Sequence, residues 1–140
     1  MTRKYRFIED DFCKEAVIFA RVSSEKQEKG ASIDAQKESV YEYCKNKGLK
    51  IIKEFIITES TIRGERKQYK EMLKFVASRT KKTAIVVNCV DRLQRSYKDT
   101  PILDDLRKKG LIEVHFLKEN LILSKDSRGI DILFWNMCVL

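Results

Sequence analysis

Ala16-Val17-Ile18-Phe19-Ala20-Arg21-Val22-Ser23-Ser24-Glu25-Lys26-Gln27 opens as an almost unbroken apolar run and stops at an arginine and a serine two positions apart. Residues 16–22 show little alternation of apolar and polar side chains, which marks a strand covered on both faces. A polar loop directly after such a strand is where a parallel sheet places its chemistry. The pattern recurs at Ala84-Ile85-Val86-Val87-Asn88-Cys89-Val90, which runs straight into Asp91-Arg92-Leu93-Gln94-Arg95. If these two strands are neighbours, their ends bring the Ser23 hydroxyl and the guanidinium groups of Arg21, Arg92 and Arg95 to one place.

Outward from these two strands, strand-like and helix-like patterns alternate. This predicts an α/β fold: three layers, with a mainly parallel sheet of about four to five strands and helices on both faces. Residues 1–15 read as a polar N-terminal leader and 16–140 as one domain. Ser32 is placed to cap a helix with Ile33, Val40, Tyr43 and Cys44 at helical spacing and Gly48 at its end. Residues 49–58 read as a second strand and 59–65 as a mobile polar loop. A second helix then carries Tyr69, Met72, Leu73 and Val76 on one stripe. The third strand spans 83–90. Pro101 suits the first turn of a helix with Ile102, Leu103 and Leu106 on its apolar face and Gly110 as its stop. Residues 111–117 read as the fourth strand. A last helix starts near 126–129, with Ile130, Leu133, Phe134, Met137 and Cys138 still periodic at the end of the sequence, as in a fragment of a longer protein.

The 140 residues, 43% of them hydrophobic, suffice for one domain with a sizeable core. The net charge is +8, and residues 59–98 alone hold eleven Lys/Arg against four Asp/Glu, so the excess is local. A charge run by itself is a solvated face, but this one contains the Asp91–Arg95 cluster and so favours nucleic acid. Cys13, Cys44, Cys89 and Cys138 are far apart with no CxxC spacing, which argues against zinc and for free thiols in a reducing cytoplasm. Neither a membrane span nor a signal peptide is expected.

A serine is a poor nucleophile unless its proton is removed or the charge it creates is stabilised. The single histidine, His115, falls inside the fourth strand pattern, where a core or surface role outweighs a catalytic one, so a Ser-His-Asp triad is not expected. No carboxylate cluster suits two metal ions, and no cofactor is called for. There remain the arginines Arg21, Arg66, Arg92 and Arg95, permanently charged forks that bind phosphate oxygens and stabilise a phosphoryl-transfer transition state. Serine attack on a phosphodiester is the chemistry that these residues suit.

Arg21-Val22-Ser23-Ser24-Glu25-Lys26-Gln27, then Ser32-Ile33-Asp34-Ala35-Gln36, then Asp91-Arg92-Leu93-Gln94-Arg95 resemble the catalytic domain of the serine recombinases, the resolvase/invertase family, and especially its large serine integrase and transposase branch. The resemblance runs from about residue 16 to the end of the chain. It implies a resolvase-like fold whose C-terminal long helix is cut at Leu140. It also implies that Ser23 attacks DNA to leave a 5′-phosphoserine link and a free 3′-hydroxyl, with rejoining that needs no ATP. By the same resemblance Arg21 contacts phosphate beside Ser23, Arg92 and Arg95 are the arginines of a DRLxR motif oriented by Asp91, Arg66 is a further active-site arginine, and Gln27 and Gln36 are substrate-binding. The implied partners are DNA and further copies of the chain, a homodimer assembling to a tetramer in the full-length protein.

Against these assignments stand plainer ones. Ser24 shares the loop, Asp91 can be a salt-bridge partner, Gln36 a solvated helix residue and Arg66 a surface cation. Arginine can donate to the leaving oxygen but is a poor base. A catalytically inactive DNA-binding or regulatory domain of the same fold would keep the sheet, though the retained Ser23 and arginines argue against it. A flavodoxin-like or receiver module would need an acidic pocket or a phosphate cradle after the first strand, and Arg21-Val22-Ser23 is neither.

Overall fold

The computed structural model describes residues 13–22, 31–58, 62–94 and 97–139, with side chains described for 13–20, 38–56, 67–94 and 97–139. Along the chain come β1 (Glu15–Val22), α1 (Ala31–Lys47), β2 (Lys50–Thr58), α2 (Ile62–Ser78), β3 (Thr83–Val87), the single turn α3 (Val90–Leu93), a 3-10 turn (Tyr97–Asp99), α4 (Thr100–Lys108), β4 (Ile112–Phe116), β5 (Leu121–Leu123) and α5 (Gly129–Val139). The strands lie in the order β2-β1-β3-β4-β5, with the first four parallel and β5 antiparallel to β4. This is the expected three-layer α/β arrangement.

The sheet separates two cores. On one face Ala16, Ile18, Ala84 and Val86 meet Val40 and Cys44 of α1. On the other, Val17, Phe19, Ile85, Val87, Val114 and Phe116 meet Tyr69, Met72 and Val76 of α2, Leu103 and Leu106 of α4, and Trp135 of α5. Alternate residues of β1 and β3 thus feed opposite cores, which is why these two strands read as continuous apolar runs, whereas β4 gives Ile112, Val114 and Phe116 to one core and turns Glu113 and His115 to the other face.

β2 departs from strict alternation. Its register with β1 shifts between Ala16↔Ile51 and Val17↔Lys53, a bulge that puts Ile52 and Lys53 successively on the α2 side. There the Lys53 ammonium lies 4.9 Å from the Phe75 ring centroid and 5.2 Å from that of Phe55. Lysines and Glu54 on this edge strand also disfavour pairing with another sheet.

Several boundaries differ from expectation. The first helix already contains Ser32, so that residue stands in the opening turn rather than at the cap, whereas Gly48 ends the helix at φ +70° as expected. The second helix begins at Ile62, inside the stretch expected as a polar loop; residues 59–61 of that loop lie outside the described residues. In α4, Leu103 and Leu106 are buried but Ile102 is exposed, and Arg107 takes its place inward. That guanidinium bonds Asp104 Oδ1 at 2.7 Å and the Ser124 carbonyl at 2.7 Å, which satisfies the charge at low exposure.

The strand β5 leaves no mark in the sequence pattern, being three residues long and preceded by a turn in which Asn120 takes φ 52°. Of the apolar residues periodic on the last helix, all but Cys138 face outward. Ile130, Leu133, Phe134 and Met137 are 72%, 60%, 41% and 60% exposed, whereas Trp135 is 1% exposed, with Ile132, Cys138 and Val139 packed beside it. A helix apolar nearly all round has no periodicity from which to choose its buried side.

Candidate active site

The Ala16–Ala84 and Ile18–Val86 pairings make β1 and β3 hydrogen-bonded parallel neighbours. On the other side of β1, Val22 lies opposite Thr58 at the end of β2. The chain therefore leaves β2, β1 and β3 at one edge of the sheet, and the segments that follow are Glu59 onward, Ser23 onward and Asn88 onward. In an open parallel sheet this carboxyl edge is where ligands bind.

Arg21 is the penultimate residue of β1, at that edge; Arg66 lies in the first turns of α2, and Gln36 in the first half of α1. Ser23, Gln27 and Arg95 lie outside the described residues, as does Ser24. Asp91 and Arg92 are both on α3.

The structure corrects the third strand here: it stops at Val87 rather than at 90. Two further bonds to the segment after β4, Leu117 N–H to the Val87 carbonyl at 3.1 Å and Lys118 N–H to that of Asn88 at 2.7 Å, carry the ladder to Asn88. The backbone then turns into α3. Val90 and Leu93 are the inward residues of that turn, and their helical spacing leaves Asp91 exposed and Arg92 half-buried on the outer side. The carboxylate of Glu119 accepts the Val90 N–H at 3.2 and 3.3 Å, satisfying a donor that the turn leaves unpaired.

At the other end of α3 the chain extends at Gln94, φ −141° and ψ 142°. The Gln94 side chain is 2% exposed and points inward. Its Oε1 accepts the Trp135 indole N–H at 2.9 Å and its Nε2 donates to Thr100 Oγ1 at 2.9 Å. Sequence reasoning missed Gln94, Trp135 and Glu119. The available signals were an amide-bearing residue inside an otherwise charged cluster and the single tryptophan of the chain.

Of the basic excess in 59–98, Lys82 pairs with Glu113 at 3.0 Å and Arg79 with Glu15, so neither is free for a ligand. Lys67, Lys70 and Lys74 are exposed along α2, the helix whose N-terminus follows the β2 end of the site edge. Burial and the nearby Glu119 carboxylate raise the Cys138 thiol above its ordinary value, which favours its protonated form.

His115 is part of the core. Its Nε2 is 3.0 Å from Glu113 Oε1 and its Nδ1 2.6 Å from the Tyr43 hydroxyl. The Tyr43 hydroxyl is pushed up to about 12 by burial, then by Cys44 and Glu113, and so keeps its proton. Among the described residues no group of His, Cys, Asp and Glu is arranged to hold a metal ion, and no helix is long and apolar enough to cross a membrane.

The family profile described as resolvase, N-terminal domain, matches residues 16–138. No curated protein matches the chain. Among solved structures, the N-terminal catalytic domain of TP901-1 integrase is similar at 25% identity and a TM-score of 0.64, with 89% of this chain and 91% of that one covered. The C-terminal catalytic domain of ISC1926 TnpA, an IS607-like serine recombinase, is 21% identical with a TM-score of 0.59, covering 86% and 76%. A resolvase family site-specific recombinase from Streptococcus pneumoniae is 15% identical with a TM-score of 0.65, covering 88% and 83%. The last two likenesses are of fold alone.

Proposed function

The chain belongs to the resolvase family as the catalytic domain of a site-specific serine recombinase, and on that premise we propose that it is an active enzyme in which Ser23 is the nucleophile toward DNA. The serine oxygen attacks phosphorus, a P–O bond to Ser23 forms and the bond to the 3′ oxygen breaks. The serine proton is given up and the departing oxygen gains one. The free energy of the phosphodiester is retained in the phosphoserine link, so the reverse attack rejoins the strand without ATP. Arg21, Arg92, Arg95 and Arg66 stabilise the negative charge of the transition state, Asp91 orients its neighbouring arginines, and Gln27 and Gln36 contact the substrate.

The observation that carries this reading is the adjacency of parallel β1 and β3, from whose common edge the Ser23 and Asp91–Arg95 segments depart. Incubation of the full-length protein with oligonucleotide duplexes tiling the DNA that flanks the gene tests it. A covalent protein–DNA adduct is expected, lost in Ser23→Ala and kept in Ser24→Ala. An adduct that survives Ser23→Ala removes the nucleophile assignment.

The chain's further partners are copies of itself, a homodimer that assembles to a tetramer in the full-length protein. The outward Ile130, Leu133, Phe134 and Met137 of α5 support this, because an apolar face of this kind in water favours association. All four cysteines are free, which supports the cytoplasm as the place of reaction. Residues 16–140 form the catalytic domain after a leader of residues 1–15, whose last residues already join the fold: Glu15 opens β1 and Cys13 is buried in the core.

A further inference from the structure

The segment that carries the two motif arginines is tied to helix α5 on both sides of Arg95. Before it, Gln94 accepts the Trp135 indole N–H at 2.9 Å; after it, the Tyr97 hydroxyl donates to the Asn136 carbonyl at 2.7 Å. Trp135 and Asn136 are consecutive in α5, and the opposite side of that helix is the exposed apolar face of Ile130, Leu133, Phe134 and Met137. We propose that Gln94 and Trp135 are positioning residues: they lock α5 to the Asp91–Arg95 segment, so that what happens at the outer face of α5 reaches the arginines.

The two side chains suit this work. Trp135 and Gln94 are among the largest fully buried side chains of the described residues. An indole N–H in such a place needs an acceptor, and Gln94 supplies it while bonding Thr100 at the start of α4 with its amide nitrogen. A buried polar bond is directional: a glide of α5 that an apolar contact would tolerate breaks it and strands two buried groups. Leu93 and Val90 fix α3 from below and Glu119 holds its N-terminal N–H, so the segment moves as one piece with the residues that tie it to α5. A sub-ångström shift of α5 is therefore passed to Gln94 and to Arg92 on the turn that Gln94 closes.

The inference rests on the recombinase reading, and the test separates the two. The variants are Trp135→Phe, which keeps an aromatic ring but loses the donor and the pyrrole part of the indole, and the surface change Tyr97→Phe, which removes the second tie without threatening the fold. Amide hydrogen exchange is followed across residues 90–100, and the tryptophan emission of Tyr97→Phe and wild type, from the single indole of the chain, gives the state of Trp135. With the tiled duplexes, DNA affinity and the single-turnover rate of adduct formation are measured separately. Both variants are expected to exchange about tenfold faster at 90–100 with β1 and β3 protection unchanged, and to form adduct about tenfold more slowly at unchanged DNA affinity. Wild-type exchange and wild-type adduct rate in both variants would overturn the proposal. So would faster exchange spread evenly over the sheet, the mark of a merely structural role. If the wild-type chain forms no adduct on any duplex, the recombinase reading is what fails, and the exchange at 90–100 still decides whether the tie exists.

Discussion

Arg92 owes its position to its neighbours. Val90, two positions before it, and Leu93, one after, are pinned in the core, and a four-residue turn anchored at those points has one outward side for Asp91 and Arg92. Arg92→Ala is expected to lower the rate of adduct formation by about 10²–10³-fold, the usual loss on removing one preorganised donor to a developing oxyanion. Arg92→Lys should recover little, because an ammonium cannot reproduce the planar fork. Single-turnover assays of the two variants check this.

A second residue-scale prediction concerns Glu113. Burial pushes its carboxyl up, but the hydrogen bonds from His115 and Lys82 outweigh that and hold it below its ordinary 4.5. A folded value below the unfolded one means that this contribution to stability is complete above pH 4.5 and is lost as the pH falls through the folded value. Glu113→Gln should cost about 1–3 kcal/mol at neutral pH. The difference from wild type should shrink on acidification below about pH 4.5, as read by urea unfolding at a series of pH values.

At the scale of the element, the ends of the helices are set by backbone chemistry that is plain in the sequence. Gly48 ends α1 at φ +70°, and no atom lies within 4 Å of the point where a β-carbon would stand, so a side chain there meets strain and no clash. Gly48→Ala should therefore cost about 1 kcal/mol and lower Tm by about 4 °C, with Gly48→Asn costing less because asparagine enters the left-handed region more readily. Thermal unfolding of the two variants distinguishes conformational strain from lost packing. The bulge in β2 belongs to the same scale: by switching which parity faces α2, it lets Phe55 join the core while the Lys53 ammonium sits over its ring.

For the whole molecule, two surfaces carry the expected behaviour. The outer face of α5 should drive self-association, so Leu133→Lys is expected to shift sedimentation toward monomer while leaving the folded spectrum intact; Leu133 is 60% exposed and little packing is lost. Lys67, Lys70 and Lys74 stand exposed on α2. If they contact phosphates, the triple change to Gln should weaken DNA binding at every sequence and reduce the slope of log K against log salt by about 2–3. Fluorescence titration at several ionic strengths measures that slope.

The chain order of strands and helices, the burial of β1 and β3 and the place of the motif segments after them were legible because they depend on local pattern: apolar runs, glycine stops and a proline in a first turn. Gly48, Gly110 and Pro101 each stand where that chemistry requires. The inward side of α5, the exposure of Ile102, the bulge in β2 and the edge strand β5 were not legible, for each depends on which surfaces distant segments present to one another. The same holds for the site. The residue types and their order along the chain pointed to serine and arginine chemistry on DNA, since charge and hydroxyl reactivity are properties of single side chains. That Gln94 is buried against Trp135, forty-one positions away, was decided only when the chain folded, because a hydrogen bond forms where two groups meet in space and the sequence records no distances.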